Sequence, residues 1–290
     1  MVERGRRHYV WMVVRSGWLY FFRRADCGGL VRRSYDRISG GYDEVWTGHM
    51  RGLTEGLIDR MGVRAGDVCV DLTCGTGYAT GLLAARAGRV VVGVDSSAGM
   101  LREARERHGE CEFVEADVLE YLRGAAAGSV DVVTCCWGLG YSRPFAVLRE
   151  VRRVLRRGGK VGVIDNSLFS LREILYCSFL TFAEEPAALR NLMRFRFLAG
   201  AWVLRWLMRF AGFGVLHSAD GSRGYMVGSG AEAVGRLRAT GAAAGFEYAC
   251  GEEDEEGIFE RFGEIIEEKY MGAGGIEVRH RYLEGIGRKW

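Results

Sequence analysis

None of the eight cysteines stands in a C-x-x-C pair, so the thiols do not read as a metal site or as arsenic-type thiol chemistry. Cys69, Cys135 and Cys136 fall inside apolar runs predicted as core strands, where cysteine serves as a small buried hydrophobe in a reducing compartment. Long uncharged runs are also missing. None reaches the roughly 18 residues of a membrane span, and the best candidate, Tyr9 to Phe22, is broken by Arg15. A basic start precedes that run, as in a signal peptide, but no A-x-A-like cleavage site follows Phe22. Cytoplasmic residence, free or peripheral at the inner face of a membrane, is the expectation. There is no internal repeat and no low-complexity linker.

The 290 residues are 48% hydrophobic and 27% charged, which indicates a globular chain long enough for one large core or a core with an added subdomain. A net charge of +3 does not argue for nucleic acid. Charge is instead local: residues 1–33 hold eight Arg against two acids, and residues 252–268 hold nine acids against one Arg.

The most informative stretch is Val68-Cys-Val-Asp-Leu-Thr-Cys-Gly-Thr-Gly77, an apolar strand running into a glycine-rich turn that lets backbone N–H groups approach a ligand. A second apolar run ends in Asp95, where a Rossmann-like fold places the acid that grips a ribose diol. The turn, D-x-x-x-G-x-G rather than G-x-G-x-x-G, resembles motif I of the class I S-adenosylmethionine-dependent methyltransferases. A glycine is usual where Thr73 stands, and D-x-A-C-G-T-G variants occur. Asp117, Val130–Cys136 and Val151–Ile164 match further landmarks of that family in order. The alternative is an unrelated domain binding another nucleotide. Tyr35–Trp46 and Gly274–His280 extend the resemblance to the ubiquinone and menaquinone biosynthesis C-methyltransferases, over residues 34 to 285. Leu168–Leu216 and the acidic helix near 252–270 depart from that pattern.

Strands are predicted at Val68–Leu72, Val90–Val94, Glu112–Val114, Val130–Cys135 and Val161–Ile164, alternating with helices. Residues 34–62 read as helical and residues 1–33 as a basic aromatic leader. Residues 34–290 read as the methyltransferase domain, with a helical acceptor-site insertion at about 168–216. A crossover helix at 229–244 is expected to lead into strand six, and Ile276, Val278 and Tyr282 alternate as a final strand. The resemblance implies an α/β, Rossmann-like class I fold with a mostly parallel seven-stranded sheet and helices on both faces.

It also implies S-adenosyl-L-methionine as cofactor. Asp95, with Ser96 beside it, should hold the ribose; Gly75 and Gly77 let the backbone lie against the cofactor; Asp71 orients the turn and meets the ammonium, directly or through water. Asp117 and the N–H of Val118 are expected at the adenine, with Met100 on the ring or simply in the core. Tyr35 and Tyr42 either donate hydroxyls to the cofactor carboxylate or pack as aromatics. Cys136 and Trp137 offer backbone near the departing methyl group. Methyl transfer needs alignment more than side-chain chemistry. If a base is used, the candidates are Asp165, Tyr141 and His49; Asp165 takes a phenolic proton if burial raises its pKa, or caps the next helix. His49 and His217 read more readily as ordinary surface or core histidines.

The spacing of Arg190, Arg194, Arg205 and Arg209 among Phe195, Phe197, Trp202 and Trp206 predicts amphipathic helices, either a membrane-facing entrance for a lipid-like acceptor or a packed pair or homodimer surface. The same two readings hold for residues 8–24. The expected acceptor is a small hydrophobic molecule, a quinone precursor or a lipid. Transfer of an aminocarboxypropyl group, nucleic-acid methylation and cofactor binding without catalysis are the alternatives. Cys136-Trp-Gly-Leu-Gly-Tyr141 stands where an N-P-P-Y motif would mark amino-group methylation of bases, and no nucleic acid is expected.

Overall fold

A computed structural model describes residues 2–23, 25–241 and 246–290. The chain opens with helices α1 (Val2–Phe22), α2 (Cys27–Ile38) and α3 (Gly48–Met61). Strand and helix then alternate: β1 (Cys69–Leu72), α4 (Tyr78–Ala87), β2 (Val92–Asp95), α5 (Ala98–Arg107), β3 (Glu112–Glu115), α6 (Val118–Gly124), β4 (Val130–Cys136), α7 (Pro144–Val154) and β5 (Leu155–Asn166). The remainder is α8 (Arg172–Glu184), α9 (Ala201–Phe210), β6 (Gly214–Val227), α10 (Gly230–Ala239), α11 (Glu255–Tyr270) and β7 (Ile276–Arg288).

Contacts divide the chain into two units. One comprises Tyr35–Ser170, Phe195–Ser222 and Arg281–Trp290; the other comprises Met1–Ser34, Leu171–Arg194 and Arg223–His280. The seven-stranded sheet has the order β3-β2-β1-β4-β5-β7-β6. Strands β1 to β5 pair in parallel and β7 runs antiparallel to β5. This is the mostly parallel Rossmann-like arrangement expected. Strand β1 is buried at every position, because helices cover both faces of a parallel sheet. Chain direction along the sheet reverses between β1 and β4, and ligands bind beyond the carboxyl ends of strands at such a reversal. Every cofactor landmark on β1, β2 and β4 therefore lies at one edge.

Three expectations need correction. The sixth strand is Gly214–Val227, ahead of the crossover helix rather than after it. Its Ser218, Asp220, Gly221, Ser222 and Gly224 read as turn residues, and its half-exposed positions blur the alternation that marks a strand. The crossover helix, expected to reach 244, ends at Ala239; residues 242–245 lie outside the described residues, and Phe246–Tyr248, where the following strand was expected to begin, is a short helical turn. Finally, Arg190 and Arg194 are not helical. Residues 189–198 form neither helix nor strand, and the N–H groups of Arg190 and Arg196 donate to the carbonyls of Ala249 and Gly140 at 2.7 and 2.8 Å. The Arg-Phe-Arg-Phe alternation at 194–197 is a period of two, which the four-residue arginine spacing masked. Only Arg205 and Arg209 sit on a helix, α9.

In the second unit α10 and α11 cross with almost no space between them. A Cβ at Gly230 would overlap the backbone carbonyl of Gly263, and one at Gly263 would stand 3.2 Å from the carbonyl carbon of Gly230. Gly230→Ala should therefore force the helices apart and cost roughly 1–3 kcal/mol of stability. Thermal unfolding checks this; an unchanged midpoint would mean the crossing yields at no cost.

Candidate active site

The site begins with a buried acid. Asp71 is fully enclosed, its Oδ1 accepting from the Thr134 hydroxyl at 2.7 Å and its Oδ2 from the Thr80 hydroxyl at 2.8 Å. Burial pushes its pKa up to about 6, opposed by these hydrogen bonds. These bonds tie the end of β1 to α4 and β4. The turn that follows takes left-handed conformations at Thr73, Gly75 and Gly77, with φ of 57°, 53° and 86°. At Gly77 a side chain is also excluded by the rings of His108 and Phe113, each 3.0 Å from where a Cβ would stand. Thr73 holds this conformation without being glycine; its hydroxyl donates to the carbonyls of Leu72 at 2.5 Å and Cys136 at 3.3 Å, linking the tips of β1 and β4.

Asp95 ends β2. Its Oδ2 accepts the Gly75 N–H at 2.9 Å and its Oδ1 the Ser97 N–H at 3.0 Å, so both oxygens are fixed while each keeps lone-pair capacity for a hydroxyl. Burial raises its pKa, and the backbone N–H bonds oppose the rise. Ser96 is exposed beside it, and Met100 is buried on α5. Asp117 caps α6, its Oδ1 accepting the N–H groups of Leu119 and Glu120. Val118 is the first helical residue, so its N–H lacks an intrahelical acceptor.

Tyr35 and Tyr42 meet edge to face with ring centres 5.9 Å apart, and Tyr35 meets Tyr141 the same way at 6.0 Å. The Tyr35 hydroxyl donates to that of Tyr141 at 3.3 Å. Burial raises the pKa of both Tyr35 and Tyr42. Two acids that sequence reasoning missed pin this segment. Asp36 Oδ1 accepts the Ser97 hydroxyl at 2.6 Å and the Gly99 N–H at 2.8 Å. Asp43 Oδ1 accepts the hydroxyl of Thr76, inside the glycine turn, at 2.6 Å, and Asp43 is ion-paired with Arg107. The signal was present as two Tyr-Asp pairs seven residues apart, Tyr35-Asp36 and Tyr42-Asp43.

Across β4, Cys136 is buried and Trp137 adopts φ of 64°. The Trp137 indole donates to the Thr54 hydroxyl at 2.9 Å and packs edge-on against Trp46 and Tyr282. Asp165 lies near the end of β5, 3% exposed, its Oδ2 accepting the Gly140 N–H at 2.7 Å and its Oδ1 the Asn166 N–H at 2.8 Å. Burial pushes its pKa up to about 7. It does not cap the next helix: α8 starts at Arg172 without a side-chain cap. Tyr141 packs against Phe195 and Phe197, both at 5.4 Å, which places these two phenylalanines beside the Asp165–Gly140 contact. Trp202 and Trp206 instead lie exposed on α9, whose inner face is Ala201, Leu204 and Met208. His49 is half-buried on α3. His217 bonds Glu284 at 2.7 Å, which also pairs with Arg60, an ion network between β6, β7 and α3.

Residues 69–159 match the family model described as a methyltransferase domain. A 2-phytyl-1,4-naphtoquinone methyltransferase of Trichormus variabilis is 34% identical over 148 residues, covering 47% of this chain and 64% of that protein. A demethylmenaquinone methyltransferase of Beutenbergia cavernae is 35% identical over 165 residues, covering 54% and 65%. The match thus spans just under two thirds of the length of these curated relatives. Among solved structures, Haemonchus contortus Phospholethanolamine N-methyltransferase 2, in complex with phosphomonomethylethanolamine and S-adenosylhomocysteine, superimposes with a TM-score of 0.57 at 16% identity, over 92% of this chain and 61% of that one. Residues 69–159 thus match a methyltransferase domain, and the fold is shared with solved methyltransferases, one of them in complex with S-adenosylhomocysteine.

The turn, Asp95 and the pinned tyrosine segment fit S-adenosyl-L-methionine: a backbone approach free of side chains, an acid with both oxygens preset, and buried hydroxyls. If the segment's position matters, Asp43→Ala should weaken S-adenosylhomocysteine binding by about 1–2 kcal/mol through the loss of charge-assisted bonds to Thr76 and Arg107. Titration calorimetry measures it. Wild-type affinity in the variant would show that the segment is positioned without Asp43.

Proposed function

We propose that the chain transfers the methyl group of S-adenosylmethionine to a small hydrophobic acceptor, a quinone precursor or a lipid-like molecule, acting free or peripherally at a membrane surface. The observation that carries the proposal is the turn–Asp95 geometry, in which the Gly75 N–H of the glycine turn bonds the carboxylate at the end of β2, an arrangement that supports Asp95 as the ribose-binding acid. The named activities of the 34% and 35% identical relatives support a quinone-type acceptor. Among the described residues no helix is long and apolar enough to cross a membrane.

The cofactor, when bound, supplies a methyl carbon already activated by its sulfonium. The protein's part is to align and to handle a proton. Asp95 would hold the ribose, Tyr35 and Tyr42 would lie at the amino-acid end, and the backbone of Cys136 and Trp137 would stand beside the methyl carbon. Tyr141, Phe195 and Phe197 present ring edges and faces to a flat apolar acceptor. Asp165, with a pKa near neutrality, takes the proton that the acceptor's hydroxyl or ring carbon loses as it attacks the methyl carbon. The Gly140 and Asn166 N–H groups hold that carboxylate in place throughout.

Labelled S-adenosylmethionine incubated with cell lipid extract, against a tRNA control, tests the class of acceptor, and product mass separates a methyl from an aminocarboxypropyl group. Asp95→Ala should lose about 1.5–3 kcal/mol of cofactor affinity; undiminished binding would overturn the site. Turnover should rise as pH passes through about 7, and Asp165→Asn should lose that limb along with at least about tenfold in rate. A pH profile with the same shape in Asp165→Asn would remove Asp165 from proton transfer.

A further inference from the structure

Helix α1 is turned inside out. At about 100° per residue, Met12 and Leu19 share one face, and both are buried against Phe182, Leu189 and Ile258. The opposite face carries Val10, Val14 and Phe21, flanked by Trp11, Trp18 and Phe22, all exposed, with Trp11, Phe21 and Phe22 at 65%, 72% and 78%. Within residues 9–22 the only charge is Arg15. Its guanidinium is drawn inward to the Leu189 carbonyl at 3.0 Å, so the outer face is apolar along about 20 Å. Exposed apolar patches of this size mark interaction surfaces.

We propose that this face docks on an anionic lipid surface, with α1 lying in the interfacial plane. Three observations select lipid over a second copy of the chain. The exposed set is rich in Trp and Phe, which partition to the boundary between headgroups and acyl chains. Beyond the helix, Arg23, Arg32 and Arg33 are exposed, while Asp26 is engaged by the Gly29 N–H at 3.0 Å. Anionic headgroups complement these arginines. Inward, Met12, Leu19 and Arg15 fix the helix, so docking orders no new element. The purpose of such docking, access to an acceptor dissolved in lipid, rests on the proposed function; the surface itself does not.

The full chain should sediment with vesicles of equal phosphatidylglycerol and phosphatidylcholine at low salt, and brominated phosphatidylcholine should quench its tryptophan fluorescence. Combined Trp11→Ser, Phe21→Ser and Phe22→Ser should weaken vesicle binding at least about tenfold. Arg23→Gln, Arg32→Gln and Arg33→Gln together should abolish most of the preference for phosphatidylglycerol, at least about tenfold. Both variants should bind S-adenosylhomocysteine as wild type does, which controls for folding. Wild-type protein left in the supernatant and unquenched, or vesicle binding unchanged in both variants, overturns the proposal. So does a wild-type dimer that becomes monomeric in the Ser variant without losing vesicle binding. Vesicle binding with no methylated product from lipid extract would overturn the acceptor reading alone.

Discussion

The tip of β1 depends on a carboxyl group with no access to water. Asp71 bonds Thr80 on α4 and Thr134 on β4, so one side chain ties the strand, its helix and its neighbouring strand together where chain direction reverses. Removing water from a carboxyl is costly, and the pKa raised to about 6 records that cost. The threonine hydroxyls offset part of it. What the arrangement secures is the start of α4 and the left-handed run through Thr73, Gly75 and Gly77, on which the approach of any cofactor depends.

The same device recurs around the crevice. Asp95 takes N–H groups from Gly75 and Ser97, Asp36 from Gly99, Asp117 from Leu119 and Glu120, and Asp165 from Gly140 and Asn166. Each acid accepts from backbone N–H groups, most of them in turns or first helical turns that would otherwise lack partners. Fixing an oxygen in this way sets its position before a ligand arrives, which is preorganisation in the sense that matters for binding. Thr73 shows the limit of the pattern. A β-branched residue in the left-handed region is strained, and it persists here because its hydroxyl bridges the carbonyls of β1 and β4.

The five parallel strands and the acid at the end of β2 were legible in the sequence, because a two-faced buried strand leaves an unbroken apolar run and a glycine turn has few other uses. Asp36 and Asp43 were not, since a surface-helix acid and a pinning acid look alike until their partners, Ser97 and Thr76, come close through folding. Strand β6 was hidden by its polar and glycine content. The orientation of α1 and α9 was also illegible. Both carry apolar residues on two faces, and periodicity alone does not say which turns inward. In α9 the compact and flexible Ala201, Leu204 and Met208 pack on the sheet, and the broad rings of Trp202, Trp206 and Phe210 are left outside. Close packing against strands selects by shape before it selects by hydrophobicity.

Three carboxyls near the ends of parallel strands, Asp71 and Asp165 buried and Asp95 partly so, also set how the fold answers to pH. Asp71 and Asp165 hold their protons to about 6 and about 7, above the ordinary value of 3.8, and burial raises Asp95 in the same direction. The folded chain therefore binds these protons more tightly than the unfolded one. Their contribution to stability is full below the unfolded value and is lost as pH rises through about 6 and then about 7. At neutral pH the crevice is thus a place where charge is held at the expense of stability. A cation beside these carboxyls favours their ionised form, so the electrostatic cost of burying them would be offset by a positively charged donor.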